Sequence, residues 1–219
     1  MHAILKAPMC AAFVLILANM SSSAYAARNP VDPVDQSGGT AQCYTCNSRG
    51  TAEFRSITSK EKNFDYGDTN KVATLVSLGG KADPDGFVGV EIVPTPQEFK
   101  SIEWYFKGDN FAPFGTNVNY CFTTKAGKHI EISLVADVRK NSTITTQKDG
   151  WKLLQQHNDA FPTEAVGATL DRIVFRFIQR LNPANITLGK VILNGKDAVS
   201  TLLMDNGQCA SLQRCNPQP

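Results

Sequence analysis

The side chains best suited to chemistry in this chain are aromatic rings set among amides and carboxylates. The segment "GDNFAPFGTN", residues 108–117, gathers Phe111 and Phe114 with Asp109, Asn110 and Asn117 in one polar stretch containing Gly and Pro. Tyr105 precedes it in "IEWYFKGD", and Trp151 follows an Asp-Gly turn in "KDGWKLLQQH". Such rings stack on an apolar ligand face while nearby amides and carboxylates bond hydroxyl groups. Rings left in water expose apolar area at roughly 25 cal/mol per Å², so Phe111 and Phe114 need either burial as a lid or a ligand that covers them. The candidate binding set is Tyr105, Asp109, Asn110, Phe111, Phe114, Asn117 and Trp151. Strand alternation sorts the rings: Ile102, Trp104 and Phe106 share one face, which sends Trp104 to the core and Tyr105 outward beside Glu103 and Lys107. Trp151 shares a face with Leu153, which favours burial of its ring.

Catalysis finds less support. No Gly-x-Ser-x-Gly, His-Glu-x-x-His or phosphate-cradling glycine loop is present. His129 follows Cys121 by eight residues at the mouth of a predicted strand, and His157 has only Asp159 and Glu164 nearby in sequence. Neither predicted sheet face gathers Tyr, His and Arg at period-two spacing, the pattern expected of a polysaccharide-cleaving cleft. "ADPDG" together with Glu91 offers hard oxygen donors, so Asp83, Asp85 and Glu91 are candidate calcium ligands; no other cofactor is expected.

Residues 1–26 carry Lys6, an apolar run "MCAAFVLILANM" and a terminal "SSSAYAA", which reads as a secretory signal peptide cut after Ala26. The run is roughly half the about 20 residues that a membrane span needs, so no membrane span is expected. Removal of Lys6 leaves 21 basic and 20 acidic side chains from the 22 and 20 of the full chain, without clustered runs of either sign. Nucleic acid and anionic membranes thereby lose their usual electrostatic attraction.

Of six cysteines, five remain after cleavage: Cys43, Cys46, Cys121, Cys209 and Cys215. Two lie near each end of the mature chain, so in an oxidising compartment Cys43, Cys46, Cys209 and Cys215 are expected to form disulfides that fasten the ends. Cys121, within the strand-like "NYCFTT", is then the odd thiol, packed as a small hydrophobe.

These residues need a frame. Residues 27–41, "ARNPVDPVDQSGGTA", are rich in Pro, Gly and Asp and read as a disordered leader. After it come short runs of β-branched and aromatic residues, from "EFRSIT" through "FVGVEIV", "FKSIEWYF", "NVNYCFTT" and "HIEISLVADV" to "LDRIVFRFI" and "ITLGKVIL". Turns such as "KAGK", "KDG" and "NGK" separate them. Ile130, Ile132 and Leu134 alternate with Glu131 and Ser133, and Ile173, Phe175 and Phe177 repeat at every second residue, which marks both sets for the core. About ten strands without helical periodicity predict an all-β, antiparallel two-sheet β-sandwich of the jelly-roll kind over residues 42–219.

The order of elements from 99 to 195 resembles the jelly-roll carbohydrate-binding modules and galactose-binding-like domains. The likeness runs through "IEWYFKGD", "NVNYCFTTKAGKHIEISLVADV", the Gly-Trp strand "DGWKLLQQ" and "ATLDRIVFRFIQRLNPANITLGKVILNGK". That family closes with an Asp-Asn pair where this chain has Leu193-Asn194-Gly195. The resemblance implies glycan binding without catalysis. The expected function is therefore a secreted, extracellular or periplasmic binding protein whose partner is a glycan or another extracellular polymer. A small polysaccharide lyase or hydrolase and a structural or adhesive surface protein are the alternatives.

Overall fold

The computed structural model describes residues 38–46, 50–78, 87–108, 116–133, 142–178 and 184–203. The expected signal peptide, the calcium candidates Asp83 and Asp85, the loop residues Asp109, Asn110, Phe111 and Phe114, and Cys209 and Cys215 lie outside these residues. In chain order the strands are β1 (Thr40–Cys46), β2 (Thr51–Ser56), β3 (Lys71–Ser77), β4 (Phe87–Val93), β5 (Ser101–Lys107), β6 (Thr116–Thr123) and β7 (His129–Ser133). They continue as β8 (Thr143–Thr146), β9 (Lys152–His157), β10 (Thr169–Ile178), β11 (Ala184–Leu193), β12 (Lys196–Asp197) and β13 (Thr201–Leu202).

Two sheets result. The first runs β13-β1-β4-β10-β6-β7 and the second β2-β3-β11-β5-β9-β8, with β12 paired to β11. Every pairing is antiparallel except the short parallel contact of β13 with β1, which gives a β-sandwich of the jelly-roll kind. The described residues belong to a single unit, Gln36–Pro219. Among them, no helix is long and apolar enough to cross a membrane.

Alternation fills the space between the sheets as the pattern predicts. Trp104, Phe106, Phe122, Ile173, Phe175 and Phe177 are all buried in one cluster, Ile132 joins them, and Ile130 packs against its edge. Aromatic edges interlock there, with Trp104 and Phe175 centroids 5.0 Å apart at 78°. Polar groups within the core are chained: the Trp104 indole donates to the Tyr120 hydroxyl at 3.2 Å, and Tyr120 donates to Gln156 Oε1 at 2.6 Å. Gln156 Nε2 in turn donates to Ser142 Oγ at 2.8 Å, which carries the chain to the edge of the sandwich. Burial raises the Tyr120 hydroxyl pKa well above its ordinary value. Residues 152–157 form a strand, and a 3₁₀ turn, Asn158–Ala160, follows it.

Three expectations are corrected. Thr40 and Ala41, placed in the leader by composition, begin β1, where Ala41 is buried opposite Ile92. Cys43, expected in a disulfide, is a buried thiol. Cys121, expected to be the odd thiol, is disulfide-bonded, as is Cys46. Register explains the exchange. Cys43 follows Ala41 at strand spacing and so points into the core, whereas Cys121 stands between the inward rings of Tyr120 and Phe122 and so points out.

Candidate functional site

The second sheet's outer face carries the rings that a ligand could reach. On β5, Glu103, Tyr105 and Lys107 alternate outward, and each is half-buried. Leu153 of β9 stands opposite Tyr105, with Thr145 of β8 beyond it, and Gln155 stands opposite Glu103, with Thr143 beyond. Polar Glu103 and Lys107 therefore flank Tyr105 along β5, while its cross-strand neighbour is the apolar Leu153. The connection 57–70 crosses this face and adds Phe64, half-buried, whose ring lies 5.2 Å from that of Tyr105 at 58°.

Trp151 lies beneath Phe64. The two rings stack at 4.7 Å and 17°, and Trp151 is 0% exposed. Its burial is as the alternation favoured, but it is sealed on the sheet's outer side by the 57–70 connection and takes no place in the inter-sheet cluster. Trp151 Nε1 is buried without a hydrogen-bond partner. Of the expected binding rings, Tyr105 alone is described and reachable. The structure adds Phe64, which the sequence reading passed over. The signal was present in "EKNFDYGDTN", where an aromatic ring in a polar stretch raises the same question as the rings of "GDNFAPFGTN".

Two devices hold Phe64 in place. The Arg55 guanidinium grips Glu61 with bonds of 2.6 and 2.7 Å, and Glu61 also accepts from the Thr58 amide at 2.9 Å. These bonds, the Arg55 contact foremost, hold the Glu61 carboxyl down to about pKa 2. At the other end, the Lys190 amide donates to the Phe64 carbonyl at 2.8 Å, where β11 shifts register between Leu188 and Val191. Gly189 permits this approach: a Cβ there would lie 2.3 Å from the Phe64 carbonyl oxygen and 3.0 Å from the Trp151 ring.

The loop of the sequence reading springs from the same end. Lys107 precedes it, and a Cβ on Gly150, beside Trp151, would lie 3.7 Å from Lys107 Cε. Asn117 pairs in register with Arg176 on β10, in the other sheet.

On the first sheet's outer face an Arg and a Tyr meet at one carboxylate. Arg172 holds Glu91 at 2.8 Å, Glu91 accepts from the Tyr44 hydroxyl at 2.7 Å, and His129 lies on β7 of the same sheet. Period-two counting within single strands missed this set because three separate strands supply it. Its charges are spent on one another: both Glu91 oxygens are engaged, which commits that calcium candidate to Arg172 and Tyr44. His129 is exposed and bonds Thr123 Oγ1 through Nδ1 at 2.9 Å. Among the described residues no group of three or more His, Cys, Asp or Glu is placed to hold a metal ion.

The fold is similar to that of solved carbohydrate-binding modules. The family 11 module of the cellulosomal cellulase Lic26A-Cel5E of Clostridium thermocellum aligns over 74% of this chain and 89% of its own, at 11% identity and a TM-score of 0.39. TmCBM61, solved with β-1,4-galactotriose, aligns over 70% and 86%, at 11% identity and 0.36. The CBM22-1 xylan-binding domain of Paenibacillus barcinonensis Xyn10C aligns over 73% and 87%, at 8% identity and 0.32. No family model and no curated protein sequence matches the chain.

Proposed function

We propose that this chain is an exported, non-catalytic glycan-binding protein that engages a saccharide through Tyr105, Phe64 and the loop 108–117. The observation that carries this reading is the half-buried Tyr105 ring, supported by Phe64 and framed by Glu103, Lys107, Gln155 and Thr145. A pyranose ring needs an aromatic face for its C–H surface and polar groups for its hydroxyls, and this strip supplies both side by side. Phe111 and Phe114 extend the strip in this reading, with Asp109 and Asn110 as hydroxyl partners, while Asn117 belongs to β6 in the other sheet. Calcium at Asp83 and Asp85 enters as a structural ion. Export follows from the signal-like residues 1–26.

Affinity electrophoresis of the mature chain against a panel of soluble polysaccharides tests the reading. At least one polysaccharide should retard it, with retardation lost in the double variant Phe111→Ala, Phe114→Ala at an unchanged melting temperature. Retention by the double variant at full strength contradicts a role for the loop. Release of reducing ends from any of these polymers contradicts a non-catalytic assignment.

A further inference from the structure

Charged side chains that the fold draws partly out of water find partners throughout the described residues, with two exceptions. Arg55 holds Glu61 at 2.6 Å, Arg172 holds Glu91 at 2.8 Å and Lys190 holds Asp197 at 2.9 Å. Asp65 accepts from the Asn70 amide and Asp171 from the Thr123 hydroxyl, while Lys152 and Arg176 lie over the Phe106 and Phe87 rings. Among the described residues, Glu103 and Lys107 are half-buried without an ion pair or a side-chain hydrogen bond. Withdrawal from water costs a charge its hydration, and a partner ordinarily offsets that loss.

Both exceptions stand on the outer face of β5, one on each side of Tyr105. Four residues of strand put them about 13 Å apart, beyond reach of each other. Gln155 of β9, opposite Glu103, is likewise half-buried without a side-chain hydrogen bond among the described residues. Between the two charges the floor is apolar, because Leu153 stands opposite Tyr105 and is 8% exposed. The 57–70 connection walls this strip on the β11 side, where the Phe64 carbonyl is tied to the Lys190 amide and the Phe64 ring meets that of Tyr105.

We infer that Glu103, Gln155 and Lys107 are the hydroxyl-bonding residues of a linear site along β5, which takes three consecutive units of an extended, uncharged, β-linked glycan. The inference rests on the saccharide reading of Tyr105 and adds the class of chain and its direction. Tyr105 and Leu153 carry the C–H face of the middle unit. The Glu103 carboxylate accepts from hydroxyls of one outer unit, to which the Gln155 amide donates, and the Lys107 ammonium donates to hydroxyls of the other. One unit of an extended β-linked chain is comparable in length to two residues of strand, so positions 103, 105 and 107 meet successive units. An α-linked chain coils and would leave a straight strand after the first contact. Opposite charges at the two ends cancel at a distance, which suits a neutral chain better than a polyanion.

Isothermal titration of the exported full chain with cellobiose, cellotriose and maltotriose tests the site. Cellotriose should bind about tenfold more tightly than cellobiose, and maltotriose should not bind. Glu103→Ala and Lys107→Ala should each weaken cellotriose about tenfold, with melting temperatures within a few degrees of the parent, because neither side chain has a partner to lose. The dissociation constant should change less than about twofold between about 50 and 500 mM sodium chloride. Full cellotriose binding by both variants, equal binding of maltotriose, a steep salt dependence, or a large fall in melting temperature in either variant overturns the linear site. If Tyr105→Ala still weakens cellotriose in that case, the wider saccharide reading stands. If Tyr105→Ala also binds cellotriose at full strength, both fall. A parent chain that ignores cellotriose yet is retarded by another polysaccharide overturns this class of chain alone.

Discussion

The Phe64 ring stacks on Trp151 with centroids 4.7 Å apart and planes 17° from parallel, which makes a tryptophan on the outside of a sheet an interior residue. Phe64 is thus both the roof over Trp151 and the neighbour that tilts against Tyr105.

Replacing Phe64 with Ala should uncover the indole. The chain has two tryptophans, and Trp104 stays sealed in the core, so a shift of fluorescence emission to longer wavelength reports Trp151 alone. Stability should fall by about 1–3 kcal/mol in a urea titration, from the lost stacking and the half-buried ring. An unchanged emission maximum would mean that the 57–70 connection does not seal Trp151.

Acid should loosen the same connection. The Glu61 carboxyl sits near pKa 2 in the folded chain, below its ordinary 4.5, because Arg55 holds its charged form. A depressed carboxyl pKa contributes stability that is fully present above about pH 4.5 and is lost as the pH falls toward 2. The contribution is about 2 kcal/mol, discounted for the one-third exposure of Arg55, whose side chain is 33% accessible. In urea titrations between pH 2 and 6, Glu61→Gln should be less stable than the parent at pH 6 and converge with it by pH 2. A constant gap across that range contradicts the ion pair as the cause.

Tyr120→Phe removes one hydroxyl and leaves two buried groups, the Trp104 indole N–H and Gln156 Oε1, short of a partner. The expected loss is about 1–3 kcal/mol with little change in near-ultraviolet circular dichroism, since the ring stays in place. A neutral result would mean that water replaces the hydroxyl in the chain.

Much of this frame was legible in the residues. Alternation at Ile173, Phe175 and Phe177 and at Ile102, Trp104 and Phe106 identified both inner faces, because a one-residue slip would bury charge. Val174 stands between Arg172 and Arg176 on the outer side of β10 and is buried there. Local periodicity loses sight of whatever depends on contacts between distant segments. β1 was missed altogether, because Gly38, Gly39 and Thr40 read as a turn-rich leader and its antiparallel partner β4 lies far along the chain. The cysteine roles were exchanged because position along the chain was weighed above the face that each residue takes. Phe64 was overlooked because its loop reaches Trp151 only when β2 and β3 lie beside β11. Arg172, Glu91 and Tyr44 escaped notice for the same reason, as three strands bring them together.

The most direct measurement of the central claim is the dissociation constant, by isothermal titration, of Tyr105→Ala against whichever polysaccharide retards the parent chain. Tyr105 packs on Phe64 but is half-buried, so its removal should leave the fold intact. Loss of one stacked ring is worth roughly 1–2 kcal/mol, which predicts about a 5- to 30-fold weakening with the melting temperature within a few degrees of the parent. An unchanged dissociation constant in a folded variant would contradict the second sheet's outer face as the saccharide-binding side.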